Sequence, residues 1–284
     1  SRGPTRRWRK PWHVSGVPVP SLCHCDGYVV LAALDGHVAV HPWAVVGEPW
    51  STDLGEPLST RPAVGDGAVL LCEASGRACL FDLATGDKRA GFDLQAPACA
   101  QPQWWGGQWW VPVRGNRIVR VSSEGKTVVA HGLDGQALAT ATTSDGVWVS
   151  LAPAGLELVD PEGLNAQVSL PEVAPWLVSA GDAVVAVSAD GRVTAVSAGS
   201  HGAQIRWALR LPGRPTAVGG ASGATAASRV AVATRSGKAL VLDAAAGRLL
   251  RRVSFPSKVL SSVALGDGWL AAASDDGAWL CKIR

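Results

Sequence analysis

Methionine is absent from the 284 residues, tyrosine occurs once and phenylalanine three times. Charged side chains reach only 17%. Long apolar runs are missing too: each is soon broken by Gly, Ser or Asp, so no segment reads as a membrane span. The basic opening SRGPTRRWRKPW has no apolar stretch behind it and is not a secretory signal. Asn116 and Asn165 lack the hydroxyl residue two positions on, which excludes N-glycosylation at either. The formal charge of +3 is too small to indicate nucleic acid or anionic lipid. With no Met even at position 1, the chain reads as part of a longer or processed protein whose other domains carry further activity.

What is present points to β-structure. Apolar residues make up 47%, with 33 Gly and 18 Pro, which is too apolar for disorder and too rich in turn formers for a helical protein. The stretch DGAVLLCEASGRACLFD, residues 66–82, reads as strand, Gly-containing turn and strand. Gly67 opens it and Gly76 closes the turn. The same nine-residue step joins Gly27 to Gly36, Gly107 to Asn116, Gly146 to Gly155, Asp182 to Gly191, Ser228 to Gly237 and Gly268 to Gly277. Successive openings are 40, 40, 39, 36, 46 and 40 residues apart. The closing residue is always Gly or Asn, the types that accept the positive φ required at the end of a three-residue hairpin loop.

One extended stretch precedes each hairpin and, in most units, another follows it. A unit of about 40 residues then holds four strands, the pattern of a propeller blade. The expected fold is all-β: a seven-bladed β-propeller of four-stranded antiparallel blades, one domain over residues 1–284. Its hairpins fall near 27–41, 67–82, 107–122, 146–160, 182–197, 228–243 and 268–284. The 36-residue step predicts a shortened outer edge in the fourth blade. GGASGATAAS (219–228) reads as an insertion between the first two strands of the sixth. The seventh unit ends after its third strand. RRWRKPWHV (6–14) is similar to QIRWALRL (204–211), the outer strand of the fifth unit, and is expected to complete the last blade and close the ring.

LFDLATGD, residues 80–87, resembles the third-strand-and-turn signature of pyrroloquinoline-quinone-type repeats, in which an Asp and a Thr-Gly precede a Trp. That Trp position is Ala90 here and Arg251 in the sixth unit, and no Gly-His or Trp-Asp dipeptide of WD repeats falls in register. The chain is similar to a divergent, quinoprotein-like propeller of the WD-repeat-like superfamily. The resemblance implies the fold. Quinone enzymes keep the docking Trp, so it implies no quinone cofactor.

PQWWGGQWWVPVRGN, residues 101–115, sets four tryptophans around two glycines. In register, the glycines turn the chain from first to second strand. Trp104 replaces Val64, Trp105 replaces Gly65, and Trp109 and Trp110 replace Val69 and Leu70. Neighbouring strand residues point to opposite faces, so neither Trp pair forms one stacked platform. Packing between blades is the first reading of these indoles. A ligand cage is the competing one, with Trp105 as its best member, exposed near an axial channel.

Cys72 and Cys79 lie on the two arms of one hairpin. A two-residue loop would set them opposite and allow a bridge, whereas a three-residue loop offsets them by one step. Cys23 and Cys25 share one strand face, but no second Cys/His pair offers matching spacing for a metal. His37 and His41 are too far apart along a strand to share an ion. Buried thiols are expected for most of the cysteines, which favours a reducing, intracellular compartment.

Enzyme signatures fail on inspection. EGKT (124–127) has Arg120 where a phosphate loop needs its first Gly, and there is no Gly-x-Ser-x-Gly elbow. Asp35, Asp66, Asp190, Asp267 and Asp276 all stand at turns, where local hydrogen bonding explains them. No catalytic residue, metal or cofactor is expected.

One repeat position carries chemistry. The residue after each hairpin-closing Gly or Asn is His37, Arg77, Arg117, Leu156, Arg192, Lys238 and Ala278, and equivalent units would put these on one face of the ring. Solvation, with pairing to Asp35, Glu73 or Asp190, is one account. The other is a docking face for an acidic protein partner. The expected function is a non-catalytic interaction, scaffold or sensor module that binds a protein through His37, Arg77, Arg117, Arg192, Lys238 and Trp105. The alternative is a propeller enzyme, a lyase or quinone-type dehydrogenase relative with its site at the channel mouth.

Overall fold

The computed structural model describes residues 6–7, 18–25, 27–33, 35–42, 45–200, 202–220, 229–255, 262–266, 268–274 and 277–282. Among the described residues twenty-eight strands form seven four-stranded antiparallel sheets. Among the described residues no helix is long and apolar enough to cross a membrane. The chain divides into two compact units, Trp12–Ala137, and Ser1–Pro11 together with Leu138–Arg284.

The first strand, β1 (Arg6–Arg7), belongs with the last sheet. In the unit Trp12–Ala137, sheet one is β2 (Pro18–Cys25), β3 (Tyr28–Ala33), β4 (His37–Pro42) and β5 (Trp50–Asp53). Sheet two is β6 (Ala63–Gly65), β7 (Ala68–Cys72), β8 (Arg77–Asp82) and β9 (Lys88–Asp93). Sheet three is β10 (Gln103–Trp105), β11 (Gln108–Val113), β12 (Arg117–Ser122) and β13 (Thr127–Gly132). Sheet four, which from Leu138 on belongs to the other unit, is β14 (Gln136–Thr143), β15 (Gly146–Ala152), β16 (Gly155–Asp160) and β17 (Gly163–Ser169). In the other unit, sheet five is β18 (Trp176–Ala180), β19 (Ala183–Val187), β20 (Arg192–Gly199) and β21 (Gly202–Arg210). Sheet six is β22 (Pro215–Gly220), β23 (Arg229–Thr234), β24 (Lys238–Asp243) and β25 (Arg248–Ser254). Sheet seven is β26 (Ser262–Gly266), β27 (Trp269–Ser274) and β28 (Gly277–Lys282), with β1 as its fourth strand.

The second and third strands are continuous apolar runs because both of their faces are covered. In sheet two, Leu70, Cys72 and Leu80 pack with Trp109 and Val111 of sheet three. Val69, Leu71, Cys79 and Phe81 pack with Val30, Val38 and Val40 of sheet one. Successive residues of one strand thus feed two different cores. In the other unit, equivalent cores join sheets four and five, five and six, and six and seven.

The expected hairpins are the second and third strands of each sheet. Gly36, Gly76, Gly191 and Gly237 close three-residue loops at φ +96°, +95°, +96° and +72°, and Asn116 does so at +55°. The fourth hairpin differs. Gly155 lies inside β16, paired with Leu151, and the turn runs through Ala152, Pro153 and Ala154. The expected shortened edge of sheet four is also corrected. Its outer strand β17 is seven residues long. The 36-residue step comes from a tight turn at Pro161–Glu162, closed by the pair Asp160–Gly163 and by Asp160 Oδ1 accepting from both following amides.

Arg6 and Arg7 pair with Leu280 and Trp279. Residues 8–14 of the expected closing strand, and 221–228 of the expected insertion, lie outside the described residues.

The tryptophan missed at Ala90 and Arg251 is present in other sheets. Ala90 stands opposite Leu80 and Arg251 opposite Val241, and the corresponding partners of Val40 and Ala195 are Trp50 and Trp207. Trp50 Nε1 donates to Leu83 O at 3.0 Å and its ring covers Gly86 of sheet two. Trp207 Nε1 donates to Ala244 O at 2.8 Å and covers Gly247 of sheet six. A Cβ on either glycine would fall 2.7 Å or 2.6 Å from the indole, so the Gly of Thr-Gly-type turns is the seat of the preceding sheet's ring. In sheets two to six a β-bulge inserts one residue just before this position, among them Arg89 and Arg206. The bulge turns both arginines back to carboxylates, Asp82 at 2.7 Å and Asp182.

Candidate functional site

Each basic repeat residue begins a third strand whose next residues are buried, so the backbone beneath it is rigid. The surroundings then differ from sheet to sheet. In the unit Trp12–Ala137, His37 stands opposite Asp53 and Arg77 opposite Asp93. The His37 amide also donates to Asp35 Oδ1 at 3.3 Å. Arg77 Nε lies 3.8 Å from Glu73 Oε2, a carboxylate only 2% exposed, whose other oxygen accepts from Cys79 Sγ at 3.6 Å. Arg117 faces Gly132, with Arg114 in the same hairpin. Carboxylates thus compensate the first two sheets of this row.

In the other unit the pattern reverses. Arg192 stands opposite Arg210, and Lys238 opposite Ser254. Arg192 Nε lies 3.8 Å from Glu172 Oε1, and Arg210 binds Asp190 at 2.6 Å. The Ser188 hydroxyl ties these acids together, donating to Glu172 at 3.0 Å and contacting Asp190. Hydrogen bonding with the Glu172 carboxyl, then with Ser188, holds Asp190 down at about 2. The cavity lined by Glu172, Ser188, Arg192 and Thr194 measures about 10 Å³, room for one water and no more. Arg214 and Arg235 are exposed beside this group and were missed in the sequence, because neither occupies the repeat position.

The four tryptophans sort as strand geometry requires. Trp104 and Trp109 form a cross-strand pair with ring centroids 5.1 Å apart, and Trp104 sits on Gly65 of sheet two, where a Cβ would be 2.3 Å away. Trp109 and Trp110 are buried. Trp110 Nε1 donates to Trp105 O at 3.1 Å, while Arg120 lies over its ring at 5.4 Å and His131 stacks on it. Trp105 is half-buried, its ring edge-on to Trp110 at 6.0 Å. It also ends β10, whereas Arg117 begins β12 at the opposite end of the sheet. Trp105 and the basic position therefore do not share an edge.

The cysteines adopt the offset register. Cys79 pairs with Leu71 and Cys72 with Ala78, so the two thiols point into opposite cores and both are free. Burial pushes the Cys72 thiol up to about 12. Cys23 and Cys25 both lie on β2. Among the described residues no three His, Cys, Asp or Glu side chains converge as a metal site.

With this geometry in place, likeness to known proteins is informative. Residues 189–283 match the family described as outer membrane protein assembly factor BamB, of the pyrroloquinoline-quinone-repeat type. Comparison with curated protein sequences finds no match. The β-propeller domain of Cps50 (Swd1) from Myceliophteria thermophila superposes with a TM-score of 0.77 at 12% identity, covering 99% of each chain. The fold is that of a seven-bladed β-propeller. This propeller is also similar to BBS1N, crystallised in complex with ARL6DN, with a TM-score of 0.74, 16% identity and coverage of 95% and 94%. BamB from Moraxella catarrhalis gives 0.58 at 15% identity, covering 94% of this chain and 98% of that one. The repeat-family match over residues 189–283 and the likeness to these solved structures thus agree on the propeller fold.

Proposed function

We propose that this propeller is a non-catalytic docking module that takes an acidic segment of a protein partner on the hairpin edge of its blades. The observation that carries the reading is the repeat position itself: Arg77, Arg117, Arg192 and Lys238, with His37, recur on rigid strand starts. Conformational entropy argues the same way, because a cation anchored on a buried strand loses less freedom on binding than one on a mobile loop. Two neighbours in fold support a partner-binding role: BBS1N is seen in complex with ARL6DN, and BamB is named as an assembly factor. Trp105, at the other end of its sheet, is left out of the set.

The test is affinity capture from a lysate with the wild-type chain and an Arg77→Glu/Arg117→Glu/Arg192→Glu/Lys238→Glu variant, read by mass spectrometry. Acidic proteins held by the wild type and lost by the variant support the proposal. Equal recovery of the same proteins by both chains overturns it.

A further inference from the structure

The structure assigns the acidic-segment site to one part of that edge, the ends of sheets five and six around loop 211–215. This inference rests on the docking reading above and narrows it to Arg192, Arg210, Arg214, Arg235 and Lys238. Contacts hold these five together. Gly191, beside Arg192, lies so close to the loop that a Cβ would fall 2.9 Å from Gly213 O and 3.1 Å from Leu211 O. The loop starts at Arg210 and carries Arg214, whose carbonyl accepts the Arg235 amide at 3.1 Å. Arg235 and Lys238 belong to the one hairpin that joins β23 to β24.

Charge separates this edge from its equivalents. Across the ladder from the basic repeat residue, sheets one and two place Asp53 and Asp93, whereas sheet five places a second arginine. Among the described residues Glu172 and Asp190 are the carboxylates paired with this group, and both are engaged by Arg192 and Arg210. Among the described residues, Arg214, Arg235 and Lys238 have no carboxylate within ion-pair distance. The two acids act as an internal brace: Asp190 accepts a hydrogen bond from Arg210, and Glu172 lies within ion-pair distance of Arg192. An excess of positive charge on these strand ends and the turns beside them fits a run of Asp and Glu side chains in an extended segment. The cavity beneath has room for a single water, so recognition takes place on the surface.

The probe is a fluorescein-labelled decaglutamate peptide, titrated with the whole chain at low salt and read by fluorescence anisotropy against a decaglutamine control. Arg214→Glu/Arg235→Glu/Lys238→Glu removes exposed or half-exposed cations that brace nothing; matching circular dichroism and thermal midpoints establish that it is folded. Arg77→Glu/Arg117→Glu is the comparison. Binding weakened by about tenfold or more in the first variant, and by less than about twofold in the second, supports the assignment. Equal losses in the two, or a larger loss in the second, overturn the assignment and leave the docking reading standing. A wild-type chain that does not distinguish decaglutamate from decaglutamine overturns both.

Discussion

Arg192 stands directly opposite Arg210 across the β20–β21 ladder, a like-charged pair where a sheet ordinarily loses stability. The pair is tolerated because each cation has its own acid, Glu172 and Asp190, and because Ser188 joins the acids. Removing one acid should expose the repulsion. Glu172→Gln is expected to cost on the order of 0.5 kcal/mol in urea denaturation, since the groups are partly solvated. Adding Arg210→Gln should recover part of that loss. Strictly additive effects would contradict the brace.

Acid should weaken the fold through its turn carboxylates. Hydrogen bonds from Arg89 first, and then from the Thr85 amide, hold Asp82 down at about 2, and the Arg206 guanidinium lowers Asp182. A carboxylate depressed in the folded state contributes stability that is complete above its ordinary value of 3.8 and is lost as pH falls through about 2. The thermal midpoint is therefore expected to drop between about pH 4 and pH 2, and Asp82→Asn should make that drop shallower. An unchanged slope in the variant would remove Asp82 from the account.

Trp207 and Gly247 should behave as one unit. Gly247 has φ +65°, and its Cβ position is filled by the Trp207 ring. Trp207→Ala is expected to cost about 3 kcal/mol, the low end for a large ring because the site is half-exposed. Gly247→Ala adds strain of about 1 kcal/mol at positive φ, and a clash besides. In the double variant the clash is gone, so the combined cost should fall short of the sum by about 1 kcal/mol. Additivity in a denaturant double-mutant cycle would argue against the docking contact.

Cys72 and Cys79 are expected to resist both bridging and alkylation. With the two side chains in different cores, oxidation should leave Cys72 and Cys79 unbridged in the native chain, and iodoacetamide should label Cys72 only on unfolding. A Cys72–Cys79 peptide in a non-reducing digest would show the other register.

The two tryptophans that form the Trp105–Trp110 contact should differ in cost. Trp110 is fully buried, so Trp110→Ala is expected to lose about 4 kcal/mol. Trp105→Ala should cost about 1 kcal/mol, since its ring is only partly buried and the Trp110 indole donates to its main-chain carbonyl. Comparable losses in thermal unfolding would show that the ring of Trp105 is also part of the packing.

The blade plan was legible because it is written locally. A glycine that tolerates positive φ nine residues after a strand opening specifies a hairpin whatever surrounds it, and Gly36, Gly76, Gly191 and Gly237 adopt that conformation. Where the local code was ambiguous the reading slipped. Gly155 follows Pro153, and the turn moved onto the proline instead. The docking tryptophans escaped notice because Trp50 and Trp207 stand in sheets whose own turns lack the signature, and in the sheet of Trp207 a bulge also shifts the register by one residue.

By itself, then, the sequence settled an all-β fold of seven repeated units, because φ preference and side-chain alternation act over a few residues. Only the tertiary structure decided which basic residues face an acid across the ladder. Asp53 faces His37 and Asp93 faces Arg77, while Arg210 faces Arg192, and each pairing joins residues of different strands. Electrostatic compensation falls off with distance through space, so it follows the ladder and the neighbouring loop rather than the order of the chain.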